Sequence, residues 1–311
     1  MSDAPSPKKR VPVHGVILLD KPVGLSSNDA LVRAKRKLNA KKAGHTGTLD
    51  PFATGLLPLC FGEATKFAQD LLNADKTYET TVFLGAKTST GDTEGEIVFR
   101  GDAGHVTREN IEAILPRFTG EIDQVPPMHS ALKRDGRPLY EYARAGIELE
   151  REARRVTIHE MTLLDFSPPF LTLRVSCSKG TYIRVLGEDI GQALGCGAHL
   201  QTLRRVKVGS LAIDHASALA DIEKGDALQA AAFLKPVDYL LSTFPAIHLS
   251  EEQARRFMHG QRLSMEKEKL PLPVFDSARR VRIYDAASER LLGTAIIKPG
   301  SILAPERLIA I

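Results

Sequence analysis

Residues 44–57, GHTGTLDPFATGLL, hold three glycines and a single acid, Asp50. Glycine lets backbone segments approach closely and Pro51 fixes its own φ, so the run reads as a shaped loop. Such a loop with one acid is a turn, a phosphate cradle or a catalytic site. It lacks the Gly-Lys-Ser/Thr ending of a nucleotide-binding P-loop. An ionised, oriented carboxylate could act as a nucleophile at an electrophilic sugar or base carbon. An aspartate before a proline is also an ordinary turn residue.

Two other side chains carry potential chemistry. Arg184 falls in the first turn of an expected helix, GTYIRVLGEDIGQALG, where the helix dipole disfavours a cation by up to about 1 kcal/mol. A cation set against its local field calls for a carboxylate partner. Asp50 is the natural candidate, and if the two meet, the arginine would hold the acid ionised with a lowered pKa. A surface arginine in a mixed-charge helix is the plainer alternative. Tyr78 begins a strand whose alternation places it with Thr80, Val82 and Leu84, as a core residue or as an aromatic platform for a flat ligand. Cys196 and His199 have metal-like spacing, but no second pair completes a tetrahedral site.

The elements that must position these groups follow from pattern. A strand is expected at Val16–Leu19, then a helix capped by Ser26, with Leu31, Ala34 and Leu38 on one face and Arg33, Arg36 and Lys37 on the other. Strands are expected at 77–85, after the turn GDTEG at EIVF, at 155–165 and at 170–177, with a helix at 108–118 behind Thr107. Residues 125–146 read as a Pro/Gly-punctuated loop with a helical turn near Tyr140–Ala143. The elements lack regular βαβ alternation, which predicts an α+β fold with a mixed, largely antiparallel sheet flanked by helices. Past Phe244 the pattern changes to one short helix and short strands, a small β-rich module.

The 311 residues can bury a large core, and three cysteines give no disulfide framework. The start, MSDAPSPKKR, reads as a disordered basic tail over 1–12 without the apolar stretch of a signal peptide, and no run is long enough to span a bilayer; a cytoplasmic protein is expected. The net charge of +4 is mild, but six Lys/Arg and no acid lie between Ala30 and Leu49, and LRRVKV follows at 203–208. Clustered cations suit a polyanion partner or a merely solvated face.

The motifs HGVILLDKPVGLSSNDA, AGHTGTLDPFATGLLPLCFGEATK, KTYETTVFLG, SALK, LYEYARAGIELEREAR and CSKGTYIRVLGEDIGQALGCGAHLQTLRR, in this order over about residues 13–210, together resemble the bacterial TruB family of tRNA pseudouridine synthases. The resemblance implies a pseudouridine-synthase catalytic domain over 13–243 and a PUA-like RNA-binding module over 244–311. It implies isomerisation of uridine to pseudouridine at position 55, in the T loop of tRNA, by base flipping, without metal or other cofactor, in a monomer with no obligate protein partner and no membrane. By that resemblance Asp50 is the nucleophile. Tyr78 stacks on the base and takes part in moving the carbon-5 proton, and Arg184 pairs with the acid. Leu203 packs the uracil from the other side, His45 inserts where the base leaves the stack, and Lys21 and Pro22 support the loop. Basic groups at 33–42 and 204–207 would hold phosphates. A non-enzymatic RNA-binding protein or chaperone on the same fold is the competing class. Asp50, Tyr78 and Arg184, all present in their motifs, argue against it.

Overall fold

The structure is a computed structural model that describes residues 9–271 and 280–310. Among these residues ten strands form one sheet. Its main path runs Ser217–Ala218, Gly15–Lys21, Thr54–Phe61, Ala198–Val208, Lys76–Leu84, Phe170–Cys177, Arg154–Ser167, Gly120–Gln124. Most neighbours are antiparallel. Gly15–Lys21 with Ser217–Ala218 and Thr54–Phe61 with Ala198–Val208 are parallel, so the expected mixed α+β fold is what forms.

Strands at one end of the sheet are buried on both faces. In Gly15–Lys21, Ile17 and Leu19 enter one apolar cluster while Val16 and Leu18 enter a second. Thr54–Phe61 does the same with Leu57 and Leu59 on one side and Leu56 and Cys60 on the other. Burial on both faces removes polar alternation, and for that reason this strand reads in sequence as part of a loop. Phe170–Cys177, with one buried face, shows the alternation expected of it: Leu171, Leu173, Val175 and Cys177 are buried.

Helix Ser27–Lys37 is capped by Ser26, which accepts from the Asp29 N–H, and buries Ala30, Leu31 and Ala34. Helix Ile183–Ala193 buries Ile183, Leu186 and Ile190 against the sheet. A Cβ at Gly191 would lie 2.3 Å from Ala198 Cβ, so only glycine lets this helix lie so close to the strand Ala198–Val208. The helix expected over 108–118 is α-helical at Arg108–Ile114 and 3-10 at Leu115–Phe118, where Pro116 has no N–H for an α-helical bond.

The second sheet orders Ala246–Leu249, Arg280–Asp285, Leu291–Lys298, Ile302–Leu308 and Leu263–Ser264, with helix Glu251–Met258 over a core that includes Ile247, Phe257 and Ile283. It is fastened to the first sheet: Tyr284, Leu291 and Ile309 share a cluster with Val16, Leu18 and Leu241, and the Asp70 carboxylate takes Arg280 at 2.7 Å and Arg307 at 2.9 Å. Of the basic tail expected at 1–12, residues 1–8 lie outside the described residues. Its end is not disordered as expected but tied down, since Val11 donates to Asn39 O and accepts from Lys41 N, both at 2.9 Å.

Candidate active site

Three adjacent strands and one helix build the site. The loop carrying Asp50 runs directly into Thr54–Phe61, Leu203 and Arg205 lie on the next strand, and Tyr78 lies on the one after. The register sets Arg205 opposite both Gly55 and Tyr78. Gly55 has φ +102°, and a Cβ there would lie 2.3 Å from Arg205 O. The glycine therefore allows the loop to join the sheet in parallel at this point. The loop itself is clamped. Ser27 Oγ accepts from Leu49 N at 2.7 Å and donates to Leu49 O at 3.0 Å. Lys21 Nζ, fully buried, donates to Leu25 O at 2.6 Å, Pro22 O at 2.9 Å and Pro51 O at 3.4 Å. Burial pushes the Lys21 amine down to about 8, with the Asp50 charge opposing.

Arg184 meets Asp50. Its Nη2 lies 2.9 Å from Asp50 Oδ2 and donates to His129 O at 2.7 Å, Nη1 donates to Thr90 O at 2.8 Å, and Nε lies 3.5 Å from Asp92 Oδ2. The guanidinium is thus buried between two carboxylates and two carbonyls, which offset the unfavourable helix dipole. The expected lowering of the Asp50 pKa does not occur. Burial pushes the carboxyl up, Arg184 pulls against it, the Asp92 charge reinforces it, and the net direction is upward.

Tyr78, Leu203, Arg205 and Tyr182 line, with Asp50 and Arg184, a cavity of about 230 Å³. The Tyr78 hydroxyl is pushed up by burial, opposed by the Arg205 guanidinium beside it. It therefore stands as a phenol, not a phenolate. His45 and the Lys21–Pro22 pair do not line this cavity. His45 is half-buried on the short strand Ala43–His45, its Nδ1 without a hydrogen-bond partner among the described residues, and burial holds its pKa down so that it stays neutral. Pro22 is exposed.

The basic groups expected to hold phosphates need correction. Arg205 is buried, donating to Leu56 O at 2.8 Å and Gly47 O at 3.1 Å. Arg204 grips Asp20 through two bonds, at 2.7 and 3.0 Å. Arg33 grips Glu223 likewise, and Lys37 Nζ is held by the carbonyls of Glu223 and Gly225. What remains for an outside anion at these positions is Lys35, Arg36, Lys41, Lys42 and Lys207.

Family models match in sequence along the chain. "TruB family pseudouridylate synthase (N terminal domain)" matches residues 35–183, "tRNA pseudouridylate synthase B C-terminal domain" residues 184–242, and "Pseudouridine synthase II TruB, C-terminal" residues 245–309. The chain belongs to the TruB family of pseudouridine synthases. A protein named tRNA pseudouridine synthase B from Ralstonia nicotianae is 62% identical over 96% of this chain and 94% of its own. One of the same name from Burkholderia lata is 60% identical over 99% and 95%. Among solved structures, a chain of a "Cbf5-Nop10-Gar1 Complex" matches with TM-score 0.70 and 26% identity, over 95% of this chain and 84% of that one. The boundary between the first two family models, at 183/184, falls inside the sheet domain: Arg184 and the strand Ala198–Val208 complete the site begun by Asp50 and Tyr78.

Sequence reasoning missed two buried members of this TruB-family site. Asp92 sits in a segment read only as a turn, and the signal for it was indirect: Arg184 needed more negative charge than one acid supplies. Arg205 sits in a run read as a surface basic knot. Its signal was strand alternation, which sets Arg205, two residues on, on the same buried face as Leu203.

Proposed function

We propose that this protein isomerises uridine to pseudouridine at position 55, in the T loop of tRNA, with Asp50 as nucleophile. The observation that carries the reading is the Asp50–Arg184 contact at 2.9 Å on the wall of a base-sized cavity that Tyr78 and Leu203 also line. The names of the relatives support tRNA as the substrate. A uridine flipped from its loop would lie between the Tyr78 ring and Leu203, whose contacts offset an unstacking cost of a few kcal/mol. The Asp50 carboxylate attacks an electrophilic carbon of the ribose or the base, and the bond from ribose C1′ to N1 breaks. The uracil turns in the cavity, carbon 5 joins C1′ as the bond to the Asp50 carboxylate breaks and frees it, and the carbon-5 proton leaves to water by way of the Tyr78 hydroxyl, which takes it up as it gives its own. Arg184 aims the carboxylate through its Nη2, while Thr90 O, His129 O and Asp92 fix the guanidinium plane. No helix among the described residues is long and apolar enough to cross a membrane, in keeping with work on tRNA in the cytoplasm. The second sheet, fastened through Asp70, would extend the RNA-binding surface.

The test is pseudouridine mapping in an unmodified tRNA transcript incubated with the pure protein. Modification at position 55, abolished by Asp50→Asn while tRNA affinity stays within about threefold, is the expected result, because phosphate contacts dominate affinity. Substantial pseudouridine from Asp50→Asn would remove Asp50 from the role, and modification elsewhere would reassign the target.

A further inference from the structure

Arg205 carries a charge that no acid balances among the described residues. Its side chain is 1% exposed, yet its hydrogen bonds go only to the carbonyls of Leu56 and Gly47. Its Nη1 has no carbonyl or carboxylate partner among the described residues, and no carboxylate comes within ion-pair distance. Arg184, 4% exposed in the same cavity, has two carboxylates. The neighbours that feel the Arg205 charge are themselves bases. Burial, and after it the Arg205 charge, push Lys76 down to about 8 and His45 down as well. A buried cation without a counter-ion costs several kcal/mol, which two carbonyls offset only in part. Tying the Asp50 loop to the sheet does not need that charge, since a neutral amide could bond the same carbonyls.

The group that meets this charge is Tyr78. The two residues are direct cross-strand partners, which sets their side chains on one face, roughly 5 Å apart at Cβ, and both line the cavity. The guanidinium lies beside the Tyr78 hydroxyl. Burial pushes that hydroxyl up most strongly, Arg205 pulls it down through charge and hydrogen bonding, and Cys177 and Asp50 push it up. A hydroxyl can relay the carbon-5 proton in two orders. Taking that proton first makes an oxonium, which a guanidinium alongside disfavours. Giving its own proton first makes an oxyanion, which the guanidinium stabilises.

We propose that Arg205 sets the order of this relay, holding the oxyanion that forms when Tyr78 releases its own proton before taking the one from carbon 5. The proposal rests on the reading of Tyr78 given above and adds the group that makes its hydroxyl a base. The Tyr78 proton passes to water, and its O–H electron pair stays on the oxygen beside Arg205. That oxygen removes the carbon-5 proton, the C5–H pair re-forms the ring's C5–C6 double bond, and N1 takes up a proton from water. Arg205 is thus a positioning residue that acts through Tyr78.

The experiment measures single-turnover rates at saturating tRNA for wild type, Arg205→Gln and Arg205→Lys, with ordinary and carbon-5-deuterated uridine at the target. It adds tRNA affinity across a salt series. Arg205→Gln should slow the rate about 30-fold or more, raise the deuterium isotope effect and leave affinity within about threefold. Arg205→Lys, which keeps the charge, should stay within about tenfold of wild type. 3-Fluorotyrosine in place of Tyr78, whose hydroxyl ionises more readily, should return several-fold of the rate lost in Arg205→Gln. A slowed Arg205→Gln with an unchanged isotope effect and no such rescue would overturn the proposal, and so would a rate equal to wild type. Weaker binding with a shallower salt slope and an unchanged rate would overturn it too, and give Arg205 to a phosphate. If Arg205→Gln does not fold, Arg205→Lys decides. A near-wild-type rate, or a slower one with a raised isotope effect, supports the proposal, and a crippled rate with an unchanged isotope effect overturns it. Wild-type protein that makes no pseudouridine, or a Tyr78→Phe as fast as wild type, would sink the reading beneath the proposal, and the proposal with it.

Discussion

Arg184 occupies the second position of its helix, where the dipole opposes it, and four acceptors hold it there. A lysine could meet one or two of these acceptors but not the fan of directions in which they lie. Arg184→Lys should therefore lose about 2–3 kcal/mol of transition-state stabilisation, roughly 30- to 150-fold in the single-turnover rate, with tRNA affinity unchanged. A near-normal rate would show that the arginine supplies charge alone. The raised Asp50 pKa has its own consequence. In the proposed role the Asp50 carboxyl acts ionised, so the rate should fall as pH drops through the raised value, and the acid limb of the single-turnover profile should lie above the 3.8 of an unperturbed aspartate. Arg184→Lys should move that limb further up, because a poorer partner holds the carboxylate less well. An acid limb at or below 3.8 would mean that the arginine overrides burial when RNA is bound.

At the scale of elements, the run GHTGTLDPFATGLL makes two different uses of glycine, and this can be tested within one loop. Gly55→Ala would place a Cβ against Arg205 O at a positive φ and should cost about 3 kcal/mol or more. Gly44 has nothing within 4 Å of its would-be Cβ and no positive φ, so Gly44→Ala should stay within about 0.5 kcal/mol. Thermal unfolding of the two variants checks this, and equal losses would mean that the parallel junction at Gly55 is not what demands glycine. The loop's place at the candidate site was legible in the sequence because one acid among small residues is unusual, and Asp50 does line the cavity. Its second half was not. Thr54–Phe61 is a strand buried on both faces, and without alternation it cannot be told from an apolar loop. Ala198–Val208 was hidden differently: register shifts at Leu200/Thr202 and Arg205/Lys207 break its period, and its cations suggested a solvated surface. The one-face strands and the Ser26-capped helix were legible, because there a single period or a single cap decides the outcome. The Arg184–Asp50 meeting spans 134 positions and needs the sheet order, which local pattern does not contain.

At the scale of the whole molecule, the second sheet is part of the cover over the first. Tyr284, Leu291 and Ile309 complete the apolar cluster beneath Val16, Leu18 and Leu241, and the Tyr284 hydroxyl donates to Asp238 Oδ2 at 2.6 Å. Removing residues 245–311 would uncover the far side of that cluster. At roughly 1.5–3 kcal/mol for each large apolar side chain, the loss should be on the order of 5 kcal/mol, enough to lower the unfolding midpoint markedly. The truncated chain therefore cannot report the module's role in RNA binding by itself. Asp70→Asn offers a milder probe. Its carboxylate is about one-fifth exposed and takes both Arg280 and Arg307, whereas the amide can accept from them only weakly. Arg280 keeps Glu306, so the change should cost about 1–3 kcal/mol and leave both sheets folded. Faster proteolysis of the second sheet, with the single-turnover rate at saturating tRNA retained, is the expected pattern. If the module only shields the cluster, tRNA affinity should also stay unchanged in Asp70→Asn. If the module carries RNA contacts whose placement depends on this docking, affinity should fall several-fold while the saturated rate holds. We expect the fall in affinity, because the Asp70 contacts fix the second sheet's position relative to the cavity that holds Asp50.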